Sequence, residues 1–265
     1  MIRLEAGQAT DRGRRREKNE DSMLVEGEIF AVADGLGGHQ GGEVASALAV
    51  EVLAARIETE VKARTGDRRR HLFARRPNES PAPTLDELVD AVDQANEEIL
   101  AKSTSSPELD GMGTTLCALA VVEHEQSQAL AVVNVGDSRV YRCDDSGFHQ
   151  LTEDHTVVQE MVKAGILTRQ EAEVHTYRHH LSRALGIESK VVVDDWVLKP
   201  VSGHRYLLCS DGLTNEVADR DIHAILLQFE SPTEAADALV SQALQHGGSD
   251  NVTVVIVDVA DVALP

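Results

Sequence analysis

Short apolar-rich runs open the chain, at Arg3–Thr10, Ser22–Val25 and Ile29–Ala33, with a turn at Gly27 between the last two; these predict strands. From Gly41 to about Val61 the period lengthens, and Val44, Leu48, Val52 and Leu53 recur at helix spacing. A second helix is predicted from Thr84. There Thr84 and Glu87 have capping-box spacing, and Leu85, Leu88, Val92, Ala95 and Ile99 mark one apolar face. Strand patterns return at Thr114–Val122, Ala129–Val135, Val140–Cys143 and Phe148–Leu151, the last pair joined by the turn Asp144-Asp145-Ser146-Gly147. Asp154 to about Leu185 mixes helical stretches with many polar residues and reads as an excursion from the core. Strands follow at Val191–Val197 and Arg205–Cys209, then helices near Asp219–Gln228 and Thr233–His246 and a closing strand at Val252–Val257. The second of those helices has a Ser231/Glu234 capping pattern, Pro232 at its first position and Gly247 just past its end.

Strands come in runs and helices in pairs, without the alternation that builds a parallel sheet, so the layers should be antiparallel sheets with helices outside. The expected class is α+β, an αββα four-layer sandwich in one domain over residues 1–265, with no internal repeat and no linker. Between the two long helices, Lys62–Pro83 carries Arg64, Arg68, Arg69, Arg70, Arg75 and Arg76 and then three prolines. It reads as a solvated loop, with a docking site for an acidic partner as the alternative.

Composition narrows the function. With 42% hydrophobic and 26% charged residues the chain suits a folded protein. Its formal charge of −20 repels nucleic acid and anionic membranes. Cys117, Cys143 and Cys209 are odd in number, form no C-x-x-C pair and sit in apolar stretches, which points to a reducing compartment. The first residues lack a signal pattern and no apolar run nears the roughly 20 residues that span a bilayer, so a cytoplasmic location is expected.

Candidate chemistry lies at strand boundaries. Asp34-Gly35 follows the apolar run Ile29–Ala33, Asp211-Gly212 follows Tyr206–Ser210, Asp250-Asn251 precedes Val252–Val257, and Glu20-Asp21 precedes Ser22–Val25. Any one of these is an ordinary turn signal. Gathered at one rim, however, such carboxylates would repel one another unless divalent metal neutralised them, and an all-oxygen set favours Mn or Mg over Zn. Gly35-Leu36-Gly37-Gly38-His39-Gln40-Gly41 fails the dinucleotide fingerprint at Gln40, and no P-loop is present. Arg12, Arg14, Arg15, Arg16 and Lys18 crowd ahead of Glu20, and a guanidinium fork suits phosphate oxygens. Metal-binding carboxylates beside arginine point jointly to phosphoryl transfer.

Six motifs, in order, resemble those of the type 2C metal-dependent protein phosphatases, from about Arg3 to Asp258. They are Gly13-x-x-Arg16-x-x-Asn19-Glu20-Asp21, Asp34-Gly35-Leu36-Gly37-Gly38-His39, Gly111-Met112-Gly113-Thr114-Thr115, Gly136-Asp137-Ser138-Arg139, Cys209-Ser210-Asp211-Gly212-Leu213 and Asp250-Asn251-Val252-Thr253. The resemblance implies two paired antiparallel sheets flanked by helices and hydrolysis of phosphoserine and phosphothreonine in proteins. It also implies two Mn2+ or Mg2+ ions held by Asp34, Asp211 and Asp250 with the backbone of Gly35, Asp34 bridging, and Glu20 and Asp21 holding metal-bound waters. Arg16 would bind the substrate phosphate, and a hydroxide shared by the metals would attack phosphorus directly.

Eukaryotic members carry a His where Leu36 stands, so leaving-group protonation would fall to a metal-bound water. His39 would contact the phosphopeptide or serve structure. A third metal would use Asp211 and Asp110, with Glu108 as competitor and Glu188 as a doubtful ligand. Asp137 and Arg139 are read as structural and outside the site, and residues 154–185 as a flap beside it. The partners implied are phosphoproteins made by a Ser/Thr kinase, acted on by a monomer. Competing readings are a non-catalytic phosphoprotein-binding relative and a partner-switching phosphatase dedicated to one signalling or secretion protein.

Overall fold

In the computed structural model, which describes residues 2–37, 41–68 and 82–262, the opening runs form strands β1 (Ile2–Asp11), β2 (Asp21–Glu26) and β3 (Ile29–Leu36). Helices α1 (Gly41–Arg68) and α2 (Leu85–Ser105) follow. Next come β4 (Gly113–Thr114), β5 (Leu116–His124), β6 (Ser127–Val135), β7 (Arg139–Asp144) and β8 (Gly147–Gln150). The polar excursion holds two short helices, α3 (Val157–Lys163) and α4 (Arg169–Glu173). The chain then forms β9 (Asp194–Leu198), β10 (Arg205–Cys209), α5 (Asp211–Thr214), α6 (Asp219–Gln228), α7 (Pro232–His246) and β11 (Val252–Val262).

One sheet has the order β1-β11-β10-β7-β8 and the other β2-β3-β5-β6-β9, with β4 pairing the end of β3. All of these pairs are antiparallel. The layering follows from period two along each strand. On β3, Phe30 and Val32 enter the core between the sheets, where they join Tyr206, Leu208, Val255 and Val257. Ala31 and Ala33 point the other way into the core shared with α1 and α2. Across the molecule Leu207, Cys209, Val254 and Ile256 pack with α6 and α7. The result is the expected helix–sheet–sheet–helix sandwich.

Three details depart from the sequence pattern. The stripe of α1 that lies flat on the sheet is Ala45, Ala49, Leu53 and Ile57, with Val44 and Leu48 at its margin. Alanine on the helix against Ala31 and Ala33 on the strand lets the two backbones approach closely, so the small residues take the centre. Second, α1 does not stop near Val61 but continues to Arg68. Arg64 anchors its last turns by donating to the Ala82 carbonyl at 2.6 Å and pairing with Glu87 and Glu123. Most of the basic stretch, residues 69–81, lies outside the described residues. Third, Ser231 accepts from the Glu234 amide, which gives only half of the capping pattern there.

The box at α2 is complete: Thr84 Oγ1 accepts from the Glu87 amide at 3.2 Å and Glu87 Oε2 from the Thr84 amide at 2.7 Å. Thr84→Ala is expected to cost about 1 kcal/mol in urea denaturation. Cys117, Cys143 and Cys209 are buried free thiols. No helix among the described residues is long and apolar enough to cross a membrane.

Candidate metal centre and active site

Carboxylates collect at one open end of the sandwich. Asp21 and Asp34 are partners across the β2–β3 pair. They lie in phase with Met23 and Val32 of the inter-sheet core, so strand alternation delivers both side chains to the space between the sheets. From the other sheet Asp211 follows the end of β10 and Asp250 precedes β11, and because these strands are antiparallel the two positions meet at the same end. Asp34, Asp211 and Asp250, with Arg16, Lys18, Glu20, Gly35, Asp137 and Asn251, line a cleft of about 1050 Å³.

The remaining motif residues hold these carboxylates in place. The backbone of Asp34 is pinned by two threonines: its N–H donates to Thr115 Oγ1, and its carbonyl accepts from the Thr115 amide and Thr114 Oγ1, each at 2.9 Å. Ser210 Oγ donates to Asp21 Oδ2 at 2.7 Å and accepts from the Thr253 amide. Asn251 accepts from the Glu20 amide and donates to the carbonyls of Arg12 and Lys18, each at 2.8 Å, which ties the arginine-rich loop to the start of β11. Gly35 has no room for a side chain, since a Cβ there would lie 2.2 Å from the Gly42 carbonyl oxygen. Its backbone is thus open to close approach.

Crowding shows in the acidities. Burial first, then Asp21, Asp211, Asp137 and Asp250, push the Asp34 carboxyl well above its ordinary value. Asp21 is raised to about 7 by burial, against the bonds from Ser210 and Thr253. Asp137 is raised to about 8 by burial and then by Asp211. Burial likewise raises Asp211, with Asp250 adding to it, and Glu20. Asp21 Oδ1 is buried without a hydrogen-bond partner. An all-oxygen donor set that resists ionisation and holds an orphaned carboxylate oxygen fits a hard divalent cation. Among the described residues no three of these side chains are drawn in tightly enough to cage an ion. Arg16 holds Asp250 at 2.6 Å.

Most of the expected residues come together: Arg16, Glu20, Asp34, Gly35, Asp211 and Asp250 all line the cleft, and Asp21 lies beside it on Ser210. Asp137 corrects the sequence reading. It lines the cleft and is electrostatically coupled to Asp34 and Asp211, whereas Arg139 turns away into a bidentate pair with Asp154 at 2.9 and 2.7 Å. Asp110 and Glu108 sit exposed around a 3₁₀ turn at Pro107–Leu109 and are not among the cleft-lining residues. Glu188 is exposed too, its carbonyl accepting from Asn96. His39 lies outside the described residues. The sequence reading missed Arg178, His179 and Leu181, through which the 154–185 segment lines the cleft, and Asn215, which donates to Asp211 Oδ2 at 3.0 Å. His179 Nδ1 stands 4.0 Å from the same oxygen.

Residues 12–246 match the protein phosphatase 2C family. The serine/threonine phosphatase Stp of Listeria monocytogenes is 39% identical over 254 residues, covering 94% of this chain and 93% of its own. The serine/threonine protein phosphatase PstP of Mycobacterium tuberculosis is 39% identical over 253 residues, 95% of this chain but 44% of its own length. Among solved structures, the phosphatase MsPP of Mycobacterium smegmatis, in complex with cacodylate, superposes with a TM-score of 0.80 at 38% identity, covering 97% of this chain and 98% of that one. The catalytic domain of PstP in complex with two manganese ions superposes at 0.77 with 37% identity, covering 97% and 99%. The conserved architecture, the motif order and the carboxylate cleft thus agree, and the chain belongs to the protein phosphatase 2C family, the metal-dependent serine/threonine protein phosphatases, in its bacterial form.

Proposed function

We propose that residues 2–262 act as one phosphatase domain that removes phosphate from phosphoserine and phosphothreonine of proteins modified by a Ser/Thr kinase. In this reading Asp34, Asp211 and Asp250, with the backbone of Gly35, hold two Mn2+ or Mg2+ ions, while Asp21 and Glu20 order the water around them. Such ions, when bound, supply Lewis acidity toward phosphate oxygens and a water nucleophile at neutral pH. The protein's share is geometric. Thr114 and Thr115 fix the Asp34 backbone, and Ser210 fixes the Asp21 carboxylate. Arg16, half exposed beside Asp250, orients the phosphate once a cation competes for that carboxylate. The observation that carries this reading is the set of half-buried carboxylates, Asp34 and Asp211 raised among them, that shares one cleft with Arg16.

The test is phosphate release from matched phosphothreonine, phosphoserine and phosphotyrosine peptides by the purified chain with Mn2+. Release from the first two is expected; a folded protein that binds Mn2+ and releases none contradicts the reading. Arg16→Ala should lower kcat/KM for the phosphothreonine peptide about ten- to hundred-fold, the worth of a charged hydrogen bond of about 1.5–3 kcal/mol. Steady-state kinetics at saturating Mn2+ checks this, and an unchanged kcat/KM would remove Arg16 from the phosphate site.

A further inference from the structure

His155 is fully buried, although nothing in the chemistry described so far uses it. Its imidazole and its backbone hold the two peptide units on either side of Gly136, in the turn that carries Asp137. Gly136 N–H donates to His155 Nδ1 at 3.0 Å, and the His155 N–H donates to the Gly136 carbonyl at 3.0 Å. Because Nδ1 accepts, the ring proton sits on Nε2, which stands 3.3 Å from Asp194 Oδ2 and 3.1 Å from Arg183 Nη1. Arg183 supports the same carboxylate, bonding Asp194 Oδ1 at 2.6 Å and the Val192 carbonyl at 2.8 Å. Burial and then Arg183 both lower the pKa of His155, in keeping with a neutral ring. The Ser182 N–H donates to the His155 carbonyl at 2.8 Å, so the two ends of the cleft-side segment are closed on this residue.

The turn it grips leads to the carboxylates. Gly136, at φ +109°, packs its bare Cα on Thr115, where a Cβ would come within 2.6 Å of that side chain. Two residues on, Ser138 Oγ and Thr115 Oγ1 are 2.7 Å apart, and Thr115 Oγ1 in turn accepts the Asp34 N–H. From these contacts we propose that His155 is a positioning residue: its Nδ1 side sets the turn that places Asp137 and supports Asp34, and its Nε2 side registers the base of the 154–185 segment against them.

The proposal rests on the phosphatase reading, and two substitutions separate its arms. H155Q keeps an N–H able to reach Asp194 and loses the acceptor for Gly136; H155N keeps an oxygen near the Nδ1 position and loses the donor to Asp194. Calorimetric titration of the chelator-stripped full chain with Mn2+ should show H155Q binding about ten-fold or more weakly, the usual effect of losing an outer-shell partner. Its kcat on a small aryl phosphate should fall as well. H155N should recover most of the Mn2+ affinity while keeping a raised KM for a phosphothreonine peptide.

Wild-type Mn2+ affinity in H155Q, equal losses in both variants, or an unchanged peptide KM in H155N would overturn the proposal. If H155Q does not fold, H155N decides through the same two readings. Mn2+ affinity within about three-fold of wild type together with a raised peptide KM supports the clasp, and any other result overturns it. Wild-type protein that binds Mn2+ but turns over neither substrate would instead sink the phosphatase reading, and the Mn2+ affinities would still judge the His155 clasp.

Discussion

Asp211→Asn is expected to lower Mn2+-dependent phosphate release by more than about 100-fold, beyond what loss of an outer-shell partner costs, without unfolding the chain. Asparagine preserves shape, and its side-chain oxygen can still accept from Asn215 Nδ2, now 3.0 Å from Asp211 Oδ2. What disappears is one negative charge from a set in which burial and Asp250 already raise the Asp211 pKa. The metal-free variant should therefore melt no lower than the wild type. It should melt higher by about 2–4 °C for each kcal/mol of relieved repulsion. Scanning calorimetry and phosphate-release rates on one preparation check both halves. Full activity would remove Asp211 from the metal site, and a large drop in melting temperature would make it a structural residue instead.

Removing metal should destabilise the protein, and more so at higher pH. The folded-state values of Asp21 and Asp137 are raised to about 7 and about 8, from an ordinary value of 3.8. Between those limits the metal-free folded chain retains protons that the unfolded chain has released, so its stability falls as pH rises and levels off above about 8. Bound divalent cations offset the same charges and displace the protons. The rise in melting temperature produced by saturating Mn2+ over a chelator-treated sample is thus expected to be small at pH 6 and several degrees larger at pH 8. A gain that shrinks with rising pH would mean that the carboxylates are not the groups Mn2+ engages.

Sequence pattern identified the strands that carry the site because they are continuous apolar runs whose ends are marked by Asp-Gly and Asp-Asn. Asp34, Asp211 and Asp250 were legible for that reason, and Arg16 because a basic cluster stands out in an acidic chain. Asp137 was not. Gly-Asp-Ser is also an ordinary turn, and only the stacking of β7 against the other sheet brings it to the cleft. Arg178 and His179 were missed because they reach the site through a polar segment whose return path depends on contacts such as Ser182 with His155, far from any strand period. The alanine stripe of α1 was overlooked for a different reason: periodicity weights large apolar side chains, while close helix–sheet packing favours small ones. The length of α1 likewise depends on Arg64 finding Ala82, Glu87 and Glu123, partners 18 or more positions away.

Whether this carboxylate cleft binds the catalytic ions is decided by anomalous diffraction from Mn2+-soaked crystals. Two strong manganese peaks are expected among Asp34, Asp211 and Asp250, with the Arg16 guanidinium no longer bonded to Asp250. Peaks elsewhere on the chain, or an empty cleft at a Mn2+ concentration that saturates turnover, would contradict binding there.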